Sequence, residues 1–247
     1  MKIIATIQVR MGSGRLPGKT MRMIQGKPLL QYLLDRVGRA KHLSGMVVAT
    51  PESPENDIIE KFCSSYGVPC FRGAEDDVTG RMVSALESQG ADVGVEAYGD
   101  SPLLDPKIID TCIEAYLKGG FDWVGNSRQE SFPSGMYVEV FSSRALRNSA
   151  ERTQDLAFRE HGTLFLRRHP ALYKLKDIEA TGTLLRPDIH LDVDTEEDLA
   201  VITAIISHFA PRNDFSIEEI IAFLDEHPEI AAHNKNVHRR WRQYQYN

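Results

Sequence analysis

The sequence predicts an α/β protein built on a doubly wound, mostly parallel sheet, and three observations carry that expectation. Ile3 to Ile7 form a short apolar run suited to a strand buried on both faces, and it passes directly into a stretch too polar and glycine-rich for any core. Short β-type runs then alternate with amphipathic helical segments from Ile3 to Val124, the order that produces a parallel sheet covered by helices on both faces. Two β-type runs end on carboxylates, in Gly99-Asp100-Ser101-Pro102 and Leu191-Asp192-Val193-Asp194-Thr195. In sheets of this kind ligands sit outside the carboxyl ends of the strands.

After the opening strand and its loop, Gln25-Gly26-Lys27-Pro28 interrupts the chain. Pro28 suits the first residue of a helix in which Leu29, Leu30, Leu33, Leu34 and Val37 recur at three- and four-residue spacing. Met46 to Thr50 reads as a strand, Asp57 to Tyr66 as a helix stopped by Gly67, and Val68 to Phe71 as the next strand. A helix near Val78 to Glu87, a strand near Asp92 to Tyr98, a helix near Lys107 to Lys118 after Asp105-Pro106 and a strand at Phe121 to Val124 continue the alternation.

Strict alternation ends there. Met136 to Phe141 predicts a strand with one polar interruption, Ser143 starts a short helix, and Asp155 to Arg168 reads as a longer one. Leu172 to Ile178 and His190 to Asp194 are further strands, and Thr195-Glu196-Glu197-Asp198 caps a helix over Leu199 to Phe209. Ala210 to Asp214 breaks the chain before a helix from Ser216, in which Ile217, Ile220, Ile221 and Leu224 share one face. The expected organisation is a main domain over residues 1–210, with a small strand-and-helix insertion at about 130–180, and a helical C-terminal extension over 211–247. The last residues, through Arg239, Arg240, Trp241, Arg242, Gln243 and Tyr244, are polar and helix-permissive.

Length and composition bound the function. A chain of 247 residues with 42% hydrophobic and 26% charged residues has room for one substantial core. Its net charge of −6 gives no basic face for a nucleic acid. Cys63, Cys70 and Cys112 are widely spaced with no C-x-x-C, which predicts buried thiols rather than a disulfide framework or zinc site. The chain enters its first strand without a charged leader, and no apolar run approaches the ~18 residues of a membrane span. The expected location is cytoplasmic, with no membrane partner.

Between Gln8 and Lys19 stand Gly12, Gly14 and Gly18, the hydroxyl of Ser13, and the cations Arg10, Arg15 and Lys19. The backbone can bend there and present N–H groups beside fixed positive charge, a combination suited to a polyphosphate. A dinucleotide fingerprint anchored on Gly12 and Gly14 fails at Pro17, and a Walker loop ending in Gly18-Lys19-Thr20 fails at Ser13. With no apolar period in it, the loop is expected to act on phosphate and not on the fold.

Taken together, Gln8, Arg10, Gly12, Ser13, Arg15, Leu16, Pro17, Gly18 and Lys19, followed by Gly26-Lys27-Pro28-Leu29, resemble the signature of the cytidylyltransferases that activate acidic sugars, most closely the spore-coat polysaccharide branch. The resemblance implies a Rossmann-like nucleotidyltransferase that uses CTP, a small acidic or phosphorylated sugar-like acceptor and Mg²⁺, and that pairs as a homodimer. Arg10, Arg15 and Lys19 would stabilise charge on the phosphates, while Gln8, Gly12, Ser13 and Gly14 would hold the nucleotide. The Gly-Asp-x-Pro and Val-Asp-Thr-x-Glu-Asp-Leu segments match paired metal motifs and assign Asp100 and Asp194, with Asp192 beside them, to the cation. On a two-residue strand period Asp192 and Asp194 would share a face.

Phe71 to Arg81 resembles the stretch that closes over base and ribose, and makes Arg81 the base-side candidate with Asp77 orienting it one helical turn away. Glu160-His161 matches a dipeptide near the acceptor pocket, to which Tyr98, Tyr137 and Glu139 are also assigned. The chain departs from the branch at three places: Glu96 stands where an arginine is common, Gly80 where an aspartate is, and Ser134-Gly135-Met136-Tyr137 where Asp-Gly-x-Asp is. Each changes charge on the expected ligand side, so acceptor specificity cannot be copied from relatives. Two rival readings are a non-catalytic sugar-nucleotide binder and a nucleotidyltransferase using another NTP.

Overall fold

A computed structural model of the chain describes residues 1–240 and 242. Its strands are β1 (Ile3–Gln8), β2 (Met23–Ile24), β3 (Lys27–Pro28), β4 (Gly45–Pro51), β5 (Cys70–Gly73), β6 (Val93–Tyr98), β7 (Trp123–Gly125), β8 (Val138–Ser142) and β9 (Leu175–Asp177). Seven of them form one sheet in the order β5-β4-β1-β6-β8-β7-β9, and β2 and β3 make a separate hairpin. The pairs β1–β4, β1–β6, β4–β5 and β7–β9 are parallel, while β8 runs antiparallel to both β6 and β7. The sheet is therefore mostly parallel, as the alternation predicts. The stretch expected as an insertion contributes β8 and β9 to this same sheet.

The helices are α1 (Leu29–Val37), α2 (Asp57–Tyr66), α3 (Val78–Ser88), α4 (Pro106–Leu117), α5 (Ser143–Arg152), α6 (Leu156–Arg159), α7 (Leu164–Arg168), α8 (Glu196–Phe209), α9 (Ile217–Glu226) and α10 (Pro228–Ala232). Local chemistry sets most of their ends. Gly67, at φ 86°, ends α2, and the Asp105 carboxylate caps α4 by accepting the Lys107 N–H. Reciprocal capping boxes start α8 (Thr195 with Asp198) and α9 (Ser216 with Glu219). Pro28 departs from expectation, since it lies in β3 with ψ 153° and precedes α1 instead of opening it.

Successive residues of β1 serve opposite faces. Ile3, Ala5 and Ile7 pack with α1, α4, α8 and α9, while Ile4 joins Met82, Leu86, Trp123, Phe141 and Leu146 on the other side. Burial on both faces explains why the strand sequence is almost uninterrupted in its hydrophobicity.

Two expected elements are different. The helix expected over Asp155 to Arg168 is split into α6 and α7 at Gly162, which adopts φ 34° and whose carbonyl accepts from Thr79 Oγ1 at 2.9 Å. Glu160 and His161 therefore sit in a turn. The segment His190 to Asp194 is not a strand; one bridge links Ser134 to His190, and Val193 N–H is drawn instead to the Asp100 carbonyl at 2.8 Å.

The apolar face of α9 is covered by its own domain, with Ile217, Ile220, Ile221 and Leu224 all buried in the main core. That burial leaves the apolar face of α9 unavailable for docking on a second copy. Arg36, itself buried, holds the preceding linker by donating to the carbonyls of Asn213 (3.2 Å) and Phe215 (3.0 Å), and lies over the Phe215 ring. Further on, Arg239 is fully buried, 2.8 Å from Asp198 and 3.5 Å from Asp192. Deleting residues 212–247 should consequently expose core and give an aggregating or unfolded product. A soluble truncated chain with an unchanged unfolding midpoint would show that the extension is dispensable.

Trp241 and residues 243–247 lie outside the described residues. The three cysteines are free thiols, with Cys63 and Cys112 buried. Among the described residues no helix is long and apolar enough to cross a membrane.

Candidate active site

A cleft of about 620 Å³ opens at the carboxyl ends of β1 and β6. Here the two strand ends approach so closely that a Cβ on Gly99 would lie 2.2 Å from the Gln8 carbonyl oxygen, and only glycine fits. The loop after β1 forms one wall. Leu16 is 3% exposed, the Met11 N–H bonds Asn56 Oδ1 at 2.8 Å, and Thr20 Oγ1 donates to the Arg10 carbonyl at 3.2 Å. The N–H groups of Ser13 and Gly18 both turn inward to the Met11 carbonyl, the latter helped by φ 72° at Gly18. The loop is thus built into the fold, contrary to the expectation that it is independent of it.

Lys19 organises this end of the cleft. Its Nζ is 2.8 Å from Asp194 Oδ1, 2.6 Å from the Val193 carbonyl and 3.8 Å from Asp100 Oδ2. Arg15 grips the other oxygen of Asp194 and donates to the His238 carbonyl at 2.7 Å. Two carboxylates from distant segments therefore converge on one ammonium, brought together by the backbone bond from Val193 to Asp100. Burial pushes Asp100 up to about 6, with Lys19 opposing and Asp194 and Asp192 adding to the rise. Burial also acts against the Lys19 ammonium, yet Asp100 and Asp194 hold it above the ordinary lysine range.

Asp192 does not join this pair, because Ser134 Oγ donates to its Oδ1 and Arg239 stands 3.5 Å from its Oδ2. Strand pleating is absent over 190–194, yet Asp192 and Asp194 both line the cleft, the former held through Ser134 and Arg239 and the latter through Lys19 and Arg15. Among the described residues no group of three or more His, Cys, Asp or Glu side chains converges as a metal site. Asp100 and Asp194 nonetheless fit a hard cation that takes one or two carboxylates and fills its remaining positions with water and phosphate oxygens.

Along the adjoining wall, Gln8 Oε1 accepts from Arg81 Nε at 3.0 Å, and Arg81 Nη1 donates to the Ala74 carbonyl at 2.5 Å. Burial, and then Arg10, lower the Arg81 guanidinium to about 10. Asp77 does not orient Arg81 as expected; it caps α3 through the Gly80 N–H at 2.8 Å and pairs with Arg159, outside the cleft wall. Its capping role wins because the carboxylate is held back over the helix N-terminus. Arg10, Ser13 and Gly14 line the cleft, whereas Gly12 backs onto Glu55 and does not.

The far end changes character along a single sheet face. Toward the strand starts, that face is Ile4, Gly94 and Phe141; toward the cleft it becomes Thr6 and Gln8 on β1, Glu96 and Tyr98 on β6, and Glu139 on β8. Glu96 and Glu139 stand directly opposite each other. Glu139 is fully buried below the cleft and accepts from Tyr98 Oη (2.5 Å), Ser127 Oγ (2.6 Å), Trp123 Nε1 (2.8 Å) and Thr163 Oγ1, with Arg167 Nε at 3.5 Å. Burial works against its charge, but Arg167 and these donors keep it below the usual carboxylate range. Burial pushes Glu96 up to about 8, reinforced by Glu139 and opposed by Arg167. Tyr98, Tyr137, Glu160 and His161 line this end, and burial and Arg167 lower His161 to about 4.

Ser127 and Arg167 had no place among the residues singled out from sequence for this pocket, and Glu96 was marked only as a departure from the branch on the ligand side. A signal existed for Glu96: one carboxylate inside the apolar run Val93 to Tyr98 is out of keeping with a buried strand unless it is used.

The pair has a pH consequence. Glu96 holds its proton in the fold to higher pH than in the unfolded chain, so its contribution to stability is complete below about pH 4.5 and lost as pH rises through about 8. The groups facing it are Glu139 on β8, Arg167 on α7, Tyr98 and Asp100 at the end of β6, and His161 in the α6–α7 turn. The unfolding midpoint of the Glu96→Gln variant should fall less between about pH 6 and 9 than that of the parent. Parallel pH curves for the two would refute this.

Comparison with known proteins bears on this site. A family model described as cytidylyltransferase matches residues 4–234. The spore coat polysaccharide biosynthesis protein SpsF of Bacillus subtilis (strain 168) is 35% identical over 236 residues, covering 93% of this chain and 97% of that one. A 3-deoxy-manno-octulosonate cytidylyltransferase of Pelobacter propionicus is 34% identical over 119 residues, 47% of this chain and 45% of its own. Among solved structures, a cytidylyltransferase from Leptospira borgpetersenii serovar Hardjo-bovis superposes with a TM-score of 0.90 at 28% identity, over 97% of this chain and all of that one.

Proposed function

The chain belongs to the cytidylyltransferase family, and on that premise we propose that it transfers the cytidylyl group of CTP to an oxygen of an acidic or phosphorylated sugar-like acceptor. The observation that carries this reading is the convergence of Lys19 and Arg15 on Asp194 and Asp100 at the carboxyl edge of the sheet. The acceptor oxygen attacks the α-phosphorus, the bond from that phosphorus to the α–β bridging oxygen breaks, and pyrophosphate leaves. Lys19, Arg15 and Arg10 stabilise the charge that grows on the phosphate oxygens. Little covalent participation by the protein is needed, since positioning and electrostatics carry such transfers.

Mg²⁺, held by Asp100 and Asp194, would supply further charge neutralisation on the phosphates. Gln8 and Arg81 form the nucleoside wall, and the largely buried Arg167 guanidinium at the opposite end attracts an acidic group on the acceptor. The octulosonate named for the P. propionicus relative supports an acidic sugar, and the name of SpsF supports a setting in surface polysaccharide synthesis, for which the cytoplasm is the expected location. A homodimer would have to use a surface other than the apolar face of α9.

Pyrophosphate release measured with each of the four NTPs over a panel of acidic sugars tests the proposal. Release with CTP and an acidic sugar is the expected outcome. Binding of nucleotide without release would favour a sugar-nucleotide binder, and release with another NTP would transfer the reading to that base.

A further inference from the structure

The end of the described chain lies across the rim of the cleft and is fastened there at three points. Arg15, in the loop after β1, donates to the His238 carbonyl at 2.7 Å. Arg239 is fully buried, with Asp198 at 2.8 Å and Asp192 at 3.5 Å, and donates to the Asn234 carbonyl at 3.2 Å. Arg242 grips both carboxylate oxygens of Glu130, in the loop after β7, at 3.0 and 3.2 Å. A buried guanidinium is tolerated only where carboxylates meet it, so Arg239 fixes the register of this segment. Arg240 stands between these ties, exposed, and lines the cleft.

The other arginines and the lysine of the cleft are held by the protein itself. Lys19 and Arg15 share Asp194, Arg10 stands 3.9 Å from Glu75, Arg81 donates to Gln8 and the Ala74 carbonyl, and Arg167 lies beside Glu139. Arg240 alone of this set makes no hydrogen bond or ion pair among the described residues. A nucleoside triphosphate brings more negative charge than Arg15 and Lys19 can offset, since each is already set against a carboxylate. Resting on the proposed cytidylyl transfer, we infer that Arg240 is a further substrate-binding residue, one that grips the β- or γ-phosphate of CTP and the pyrophosphate that leaves. The place of its segment decides which phosphate it meets. The α-phosphorus belongs beside Asp100, Asp194 and the part-buried Lys19, where the acceptor must also arrive. The outer phosphates then run along the loop after β1 toward the rim, where Arg15 ties down His238, two residues before Arg240. An exposed guanidinium there can turn onto a phosphate and bind two of its oxygens at once.

The test measures binding of CTP, CMP and inorganic pyrophosphate to the full-length protein by calorimetry, before and after the substitution Arg240→Ala. Affinity for CTP and for pyrophosphate should fall by about tenfold or more, the scale of one charged hydrogen bond, while affinity for CMP stays within about twofold. Arg240→Lys should recover part of the loss, because it keeps the charge without the planar fork. The unfolding midpoint of both variants should match the parent's, since the side chain has no partner among the described residues. Unchanged affinity for CTP and pyrophosphate, an equal loss for CMP, or a fall in unfolding midpoint that accompanies the loss would overturn the inference. Weakened pyrophosphate binding by the variant of a protein that releases none from CTP would support this subsite while overturning the transferase reading. Turnover by the parent that the substitution leaves unchanged would do the reverse, and a parent that binds neither CTP nor pyrophosphate would overturn both.

Discussion

Replacing Lys19 by alanine should lower the rate of pyrophosphate release by about two to three powers of ten, the effect of losing one preorganised contact to developing charge. The side chain is tied to the loop that follows β1, and its ammonium is already placed between Asp194, at 2.8 Å, and Asp100, at 3.8 Å. Such a group needs little reorganisation when phosphate arrives. The same contacts make Lys19 a structural cation. Its loss leaves two part-buried carboxylates facing each other, so the melting temperature should fall as well, and millimolar Mg²⁺ should restore part of the fall. This differs from the reading of the loop as independent of the fold. A variant that retains activity within about tenfold of the parent would remove Lys19 from the chemistry.

Asp194→Asn should reduce Mg²⁺-dependent turnover by about three powers of ten while leaving the chain folded. Arg15 and Lys19 both bind this carboxylate, and Asp100 alone would remain to hold a divalent cation. The fold should survive because the local ties are made by other groups: the Val193 N–H to the Asp100 carbonyl, and Thr195 with Asp198 at the start of α8. Asp192→Asn should show the reverse balance, with milder loss of turnover and a larger drop in melting temperature, since Asp192 belongs to the buried Arg239 network. Titrating pyrophosphate release with MgCl₂ and recording thermal unfolding for both variants separates the two roles. Equal losses in both measurements would show that the carboxylates act as one cluster.

The limits of sequence reasoning are visible in particular residues. The Asp77 carboxylate lies one turn from Arg81, and helical spacing pairs them, but Asp77 caps α3 and bonds Arg159 from a segment 82 residues away. Helical spacing reports which side chains can meet along one helix, not which competitor arrives from elsewhere. Glu160 and His161 fit a helix by local propensity, but the chain turns at Gly162, whose carbonyl accepts from Thr79 on α3. The apolar stripe of α9 announces burial without saying against what, and the answer lies partly in Arg36, on α1, which fastens the linker before it.

What the sequence determined by itself is what short stretches of chain can encode. That includes the alternation of strands and helices, the helix ends set by Gly67, Asp105, Thr195 and Ser216, and a loop whose glycines and cations suit a polyphosphate. Periodicity, caps and left-handed glycines act within about ten residues, so each is legible in place. Only the tertiary structure decided that β8 enters the sheet reversed between β6 and β7, which sets Glu139 opposite Glu96 and gives the acceptor end its charge. It also decided that Asp194 meets Lys19 while Asp192, two residues earlier, meets Arg239. Those outcomes depend on which backbone and side-chain groups from distant segments reach one another first-hand in a close-packed interior, and no local pattern specifies that.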